Sequence, residues 1–187
     1  MNDYRLREFK GSFFITGFMG TGKSAIGSRI AKALELPFQD LDKFLEKKEG
    51  KSIPEIFNEN GEPYFREKEW EYLLEITKSF KGVVALGGGA LQNQHIVDHL
   101  KIHGLLIFLD TPLEIILKRV LKNPKRPIVR NNKGEIKNKE SLKRELETLY
   151  SNRKGFYNQA EVKLTTTGTE DKDEVVKRLL NKIKNHV

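Results

Sequence analysis

Cysteine is absent from all 187 residues, so neither a disulfide framework nor a thiolate metal site can form. No run of about 18 apolar residues exists, which excludes an apolar membrane-spanning helix. The first ten residues, Met1 to Lys10, are charged and lack the apolar stretch of a signal peptide. A cytoplasmic protein with no membrane anchor is expected. Histidine is scarce, and His95, His99, His103 and His186 form no metal-ligand pattern. The first three, spaced by four, are expected to make a solvated stripe on one helix face. The Asn-Lys-x-Asp motif of a GTPase switch is missing; Asn132-Lys133-Gly134-Glu135 and Asn138-Lys139-Glu140-Ser141 both fail it. No basic run interleaved with aromatics suggests RNA binding. The net charge of +8 comes from lysines scattered over several segments. That distribution fits solvated helices around an anion site better than a nucleic-acid surface, so no nucleic-acid partner is expected.

What is present is a complete phosphate-binding loop. Gly17-Phe18-Met19-Gly20-Thr21-Gly22-Lys23-Ser24 satisfies G-x-x-x-x-G-K-[ST]. It follows the apolar run Phe13-Phe14-Ile15-Thr16 and opens into a segment of helical spacing that starts Ser24-Ala25-Ile26. Glycines let successive N–H groups turn toward one phosphate chain, and the helix N-terminus adds partial positive charge. Lys23 should reach the β- and γ-phosphates, and the Ser24 hydroxyl should sit on Mg²⁺. A nucleoside triphosphate is the expected ligand.

Short apolar runs alternate with amphipathic stretches, the pattern of βαβ units and a parallel sheet in one domain. Strands are expected at Phe13–Thr16, Pro37–Asp40, Val83–Leu86, Leu105–Leu109 and Val162–Thr165. Helices are expected at Lys23–Glu35, Lys43–Glu49, Pro63–Lys78, Gln94–Lys101, Pro112–Leu121, Lys139–Asn158 and Lys172–Asn185. Thr111-Pro112-Leu113-Glu114 reads as a capping box, and Ser52 before Ile53-Pro54-Glu55 as an N-cap. Residues 122–139 break the alternation with Pro, Asn, Gly and basic residues. Such a segment is either a surface excursion or a lid over the nucleotide; Arg126, set in Lys-Arg-Pro, favours the lid.

Phosphoryl transfer needs a carboxylate near Mg²⁺ and a group that aligns the attacking oxygen. Asp110 ends an apolar strand but leads directly into the Thr-Pro-Leu-Glu cap, which suggests a structural role at that turn. Asp40 and Asp42 at a strand's carboxyl end are the stronger candidates; at i and i+2 they share a face if strand geometry persists. One can orient a water on Mg²⁺ while the other accepts from a substrate hydroxyl, unless Asp42 serves as a helix N-cap. Arg66 falls in the first turn of the helix after Gly61, against the helix dipole, so it is there for an anion or for Glu69 at i+3. Gly87-Gly88-Gly89 removes three side chains in a row and lets a ligand lie on backbone N–H groups.

These features resemble, in order and spacing, the shikimate kinase family from about Phe13 to Leu164. The resemblance rests on the P-loop, Asp-x-Asp, Ile-Phe…Gly-Glu…Phe-Arg-x-x-Glu, triple-glycine and Lys-Arg-Pro elements and a late Asn-Arg…Tyr. It implies a three-layer P-loop NTPase like the nucleoside monophosphate kinases: an α/β fold with a five-stranded parallel sheet, helices on both faces and a mobile lid. Residues 1–187 would be one domain, with a substrate-binding segment at about 42–72 and a lid at about 122–139. The implied reaction moves the γ-phosphoryl of ATP to the 3-hydroxyl of shikimate, with Mg²⁺, in a monomer. Gly17, Met19, Gly20, Thr21, Gly22, Lys23, Ser24 and Ala25 would bind ATP; Arg119 would stack on adenine, and Thr165–Glu170 would form the adenine-side loop. Ser24, and Asp40 through water, would hold the metal. Asp42 would hold the shikimate hydroxyls, and Phe57 and Phe65 would line the ring pocket. Arg66 and Arg153 would clamp the carboxylate, with Gly87, Gly88 and Gly89 giving backbone contacts. Lys23, Asp42 and Arg126 form the implied catalytic set, and Arg126 would also bind ATP, swinging in with the lid to meet the transferring phosphate. Where the family often has Arg-x-Pro-Leu-Tyr, this chain has Arg153-Lys154-Gly155-Phe156-Tyr157, a looser turn. Alternatives are another small-molecule kinase, for gluconate or a nucleoside monophosphate, and a nucleotide-dependent binding protein.

Overall fold

The computed structural model describes residues 9–123, 127–130 and 134–187. Five strands, β1 (Ser12–Thr16), β2 (Phe38–Asp40), β3 (Val83–Ala85), β4 (Gly104–Asp110) and β5 (Val162–Thr165), form one sheet in the order β2-β3-β1-β4-β5. Every pairing is parallel, with Phe13 opposite both Val83 and Leu105. Central strands this apolar need cover on both faces. Phe13, Ile15, Leu105 and Ile107 pack with α1 (Lys23–Leu34) and α7 (Lys172–Lys184). Phe14, Leu106 and Phe108 face the other layer. That layer holds α2 (Leu41–Glu49), α3 (Ile53–Ser79), α4 (Gln94–His103), α5 (Leu113–Leu121) and α6 (Lys139–Tyr157). The three-layer parallel α/β expectation holds. All five strands end on the same edge, where open α/β sheets take ligands. No helix among the described residues is long and apolar enough to cross a membrane.

Several local expectations need correction. Helix α2 begins at Leu41, not Lys43, because the Asp40 carboxylate accepts from the Lys43 N–H as N-cap. Asp42 therefore leaves the strand and joins the first helical turn. Ser52 and Glu55 form a full capping box that opens a helical segment absent from the expected set, at the head of α3. Gly61 (φ 79°, ψ 174°) is non-helical, so α3 is two helices joined across a kink, and the expected helix from Pro63 is the second of them. The expected cap at Thr111 does not form; Pro112 takes the N-cap position, and the Thr111 hydroxyl bonds Thr166 Oγ1 at 2.9 Å. The histidine stripe is only partly solvated: His95 is exposed and His99 and His103 are half-buried, Trp70 meets the rings of His95 and His99 edge-on, and His99 Nε2 lies 2.9 Å from Thr77 Oγ1. Within the expected lid, Val129 is fully buried, Lys137 N–H donates to Val129 O at 2.8 Å, and Lys137 pairs with Glu145.

Candidate active site

The phosphate side is made of backbone. Gly22 caps α1 in a left-handed conformation (φ 94°, ψ 19°) with no side chain on the helix end. The first-turn N–H groups of α1 therefore face outward, a ready anion site. Lys23 is buried and donates to Gly17 O at 2.9 Å and Phe18 O at 3.1 Å, so its ammonium sits inside the loop's own curve. Thr21 Oγ1 closes the loop on Phe18 O at 2.9 Å. A cavity of about 540 Å³ opens over this loop from Met19 to Ile26 and reaches Asp42, Leu86 and Gly88. On its far side stand Arg119, Thr166 and Gly168. The Arg119 guanidinium donates to Gly20 O at 2.7 Å and Gly168 O at 2.6 Å, tying the P-loop to the loop after β5.

The other half of the edge is built from charged side chains. Asp42 is partly buried beside Lys23. Burial pushes its carboxyl above the ordinary range, Lys23 opposes that, and Asp40 and Glu46 add to it. Arg66 reaches Glu62 Oε1 (2.9 Å) and Glu69 Oε2 (2.7 Å), and its guanidinium lies 4.9 Å from the centroid of the Phe65 ring. Phe57 and Phe65 pack at 4.7 Å between centroids, with Phe65 buried. Arg153, on α6, donates to Gly88 O at 3.1 Å and sits over the Phe18 ring. Gly155 lies inside an unbroken helix, so the loosened turn is not seen.

Asp42, Arg66 and Arg153 meet at Gly87–Gly89. A Cβ on Gly87 would lie 2.6 Å from Glu69 Oε1 and 2.8 Å from Asp42 Oδ1. One on Gly88 would lie 3.0 Å from Met19 N, and one on Gly89 2.8 Å from Arg66 Nη2. The glycines thus admit the protein's own groups, where bare backbone was expected. Arg66 also lines a second cavity of about 260 Å³, between α3 and the start of α4, that neither Asp42 nor Arg153 borders. Arg126 lies outside the described residues. Asp110 keeps its structural part through other partners, accepting from the Tyr150 hydroxyl at 2.9 Å and pairing with Lys163.

Glu69 belongs to this cluster, yet the sequence marked it as a helical partner of Arg66 and the end of the Phe-Arg-x-x-Glu element, with no role at the site. It is 3% exposed, and its Oε1 has no hydrogen-bond partner among the described residues. Burial raises its pKa, with Arg66 opposing. The signal in the sequence was the i+3 spacing from Arg66; that the same face is buried against Gly87 was not visible there.

No group of three or more His, Cys, Asp or Glu side chains among the described residues is arranged to hold a metal alone. The donors present, the exposed Ser24 and the buried Asp40 with one oxygen on Lys43 N–H, suit a hard cation completed by phosphate oxygens. Mg²⁺ fits that donor set.

Comparison with known proteins places this geometry. A family model described as shikimate kinase matches residues 19–184. A shikimate kinase of Aquifex aeolicus (strain VF5) is 35% identical over 167 residues, 89% of this chain and 92% of the relative. One from Persephonella marina (strain DSM 14350 / EX-H1) is 35% identical over 173 residues, 92% and 99% of the two chains. The solved structure of shikimate kinase from Acinetobacter baumannii in complex with shikimate aligns with a TM-score of 0.85 at 29% identity, covering 99% of each chain.

Proposed function

This chain belongs to the shikimate kinase family and is an ATP-dependent phosphotransferase of shikimate, and from that premise we propose how its own residues divide the reaction. The observation that carries the reading is the meeting of Asp42, Arg66 and Arg153 at one triple-glycine turn beside the P-loop. The ATP phosphates lie on the α1 N-terminus, with Lys23 turned from its own loop carbonyls to the β- and γ-oxygens. Arg119 and the Thr165–Glu170 loop border the adenine. Mg²⁺ would be held by Ser24 and, through water, by Asp40, and it neutralises charge on the phosphate oxygens.

Shikimate sits between Phe57 and Phe65 on one side and the glycine turn on the other. Arg66 and Arg153 take its carboxylate, for which guanidinium forks are the best-matched donors. Asp42 accepts from the 3-hydroxyl and takes its proton as that oxygen bonds the γ-phosphorus; the bond to the β–γ bridging oxygen breaks, leaving ADP and shikimate 3-phosphate. Burial makes Asp42 a stronger base than an exposed aspartate. Arg126, assigned on its Lys-Arg-Pro motif, meets the transferring phosphate from the lid at about 122–139. Residues at about 42–72 carry the acceptor in a single domain. An assay of ADP release with shikimate, against ATP alone, tests the activity; turnover no faster than the ATP-only background refutes it.

A further inference from the structure

Tyr150, Arg153 and Tyr157 are spaced i, i+3 and i+7 on α6, so they form one stripe. Tyr150 meets Phe18 of the P-loop edge-on and donates to Asp110. Tyr157 is fully buried, its ring stacked on Phe108 of β4 at 5.2 Å between centroids, and its hydroxyl donates to Gly88 O at 2.6 Å. Burial pushes the phenol up to about 12, so it remains a neutral donor. The same carbonyl accepts from Arg153 at 3.1 Å. On its other side Gly88 abuts Met19 of the P-loop, so this one peptide is gripped from α6 and braced by the nucleotide site.

Two donors on one partly buried carbonyl are more than its desolvation requires. We infer that Tyr157 is a positioning residue: by satisfying Gly88 O from a rigid, stacked ring, it lets the Arg153 guanidinium turn from that carbonyl to the acceptor's carboxylate without leaving it unpaired. An arginine has four rotatable side-chain bonds, whereas the stacked tyrosine ring has no room to swing. Were the phenol removed, Gly88 O would depend on Arg153 alone. The carbonyl and the acid would then compete for the same fork. The inference rests on the proposed role of Arg153 and extends it to a residue that touches neither substrate.

The test is Tyr157→Phe, which keeps the ring and its stack, measured beside Arg153→Ala and the double variant. The expected result is a rise of about ten-fold in the shikimate KM, with the ATP KM and kcat within about two-fold. In the Arg153→Ala background the phenol should matter much less, because no guanidinium is left to liberate; coupled sites give such non-additive cycles. A shikimate KM that stays within two-fold in Tyr157→Phe overturns the inference. So does a rise of both KM values together with a lower Tm, additive with Arg153→Ala, since that marks a structural contact only. If Arg153→Ala itself leaves the shikimate KM unchanged, the carboxylate clamp is wrong and the inference falls with it, a result separable from failure of Tyr157→Phe alone.

Discussion

Two glycine-rich turns end neighbouring strands, and their glycines do opposite work. In the P-loop after β1, Gly17, Gly20 and Gly22 all lie at positive φ, and a Cβ on Gly22 would touch nothing within 4 Å. There glycine supplies a backbone conformation, and at Gly20 and Gly22 the space it leaves is open, although a Cβ on Gly17 would also meet Leu109 O at 2.5 Å. After β3, none of Gly87, Gly88 and Gly89 is at positive φ, and a Cβ on Gly87 or Gly89 would run into Asp42, Glu69 or Arg66. There glycine supplies room for side chains that are already in place. The nucleotide half is an open backbone cradle, whereas the acceptor half is packed with buried charge. Generic recognition of phosphate and specific recognition of a hydroxylated acid follow from that contrast.

The largest effect expected is at Asp42. Asp42→Asn keeps the shape but loses the proton acceptor, and kcat should fall about 10²–10³-fold with the ATP KM nearly unchanged. Steady-state kinetics in both substrates checks this; wild-type turnover would remove Asp42 from the chemistry. Next is Arg66→Ala, which removes a carboxylate donor and leaves Glu69 buried without its partner. The loss of a buried charged contact, about 2–3 kcal/mol, predicts a shikimate KM raised roughly 30- to 150-fold. An unchanged KM would put the carboxylate elsewhere.

Matched glycine substitutions sharpen the contrast directly. Gly22→Ala is strained by about 1–2 kcal/mol because of its backbone alone, and should weaken ATP about ten-fold while sparing shikimate. Gly87→Ala has an ordinary backbone but must displace two carboxylates, so it should lower kcat/KM for shikimate by about ten-fold and spare ATP. If both variants weakened the same substrate, the division of labour between the turns would be lost.

The two halves were not equally legible from sequence. The P-loop is contiguous, so eight residues in the right strand–helix context disclose it; the parallel sheet followed from alternation. The acceptor half is assembled from α2, α3, α6 and the turn after β3, and no local pattern reports such distances. Two aspartates could each have capped α2; the choice of Asp40 moved Asp42 into the helix by two residues. Gly61 and Pro63 looked like a break and are one, but the short helix before them, from Ser52, was read only as a cap. A local cap at Thr111 lost to Thr166, 55 residues away. The contact of Tyr157 with Gly88 spans 69 residues and leaves no periodic trace.

The smallest effect separates function from stability at one carboxyl. Asp42 has its pKa raised in the fold, by burial first, then by Asp40 and Glu46 against Lys23. The folded chain therefore binds this proton more tightly than the unfolded chain. Its stabilising contribution is complete below the unfolded pKa and is lost as pH rises through the higher folded value. Above that value the ionised group weakens the fold, so Asp42→Asn should raise Tm by about 2–4 °C even as it lowers kcat. The gap should narrow as pH falls through the raised folded value, because the wild-type carboxyl then takes up its proton and comes to resemble the amide. Catalysis runs the other way: only the ionised form accepts the hydroxyl proton, so the acid limb of the wild-type kcat profile should lie above the ordinary aspartate value of about 4. Melting curves and kcat profiles across the same pH range check both signs. A Tm gap independent of pH would mean that Asp42 is hydrated like a surface aspartate, and the acceptor half would then be as open as the P-loop.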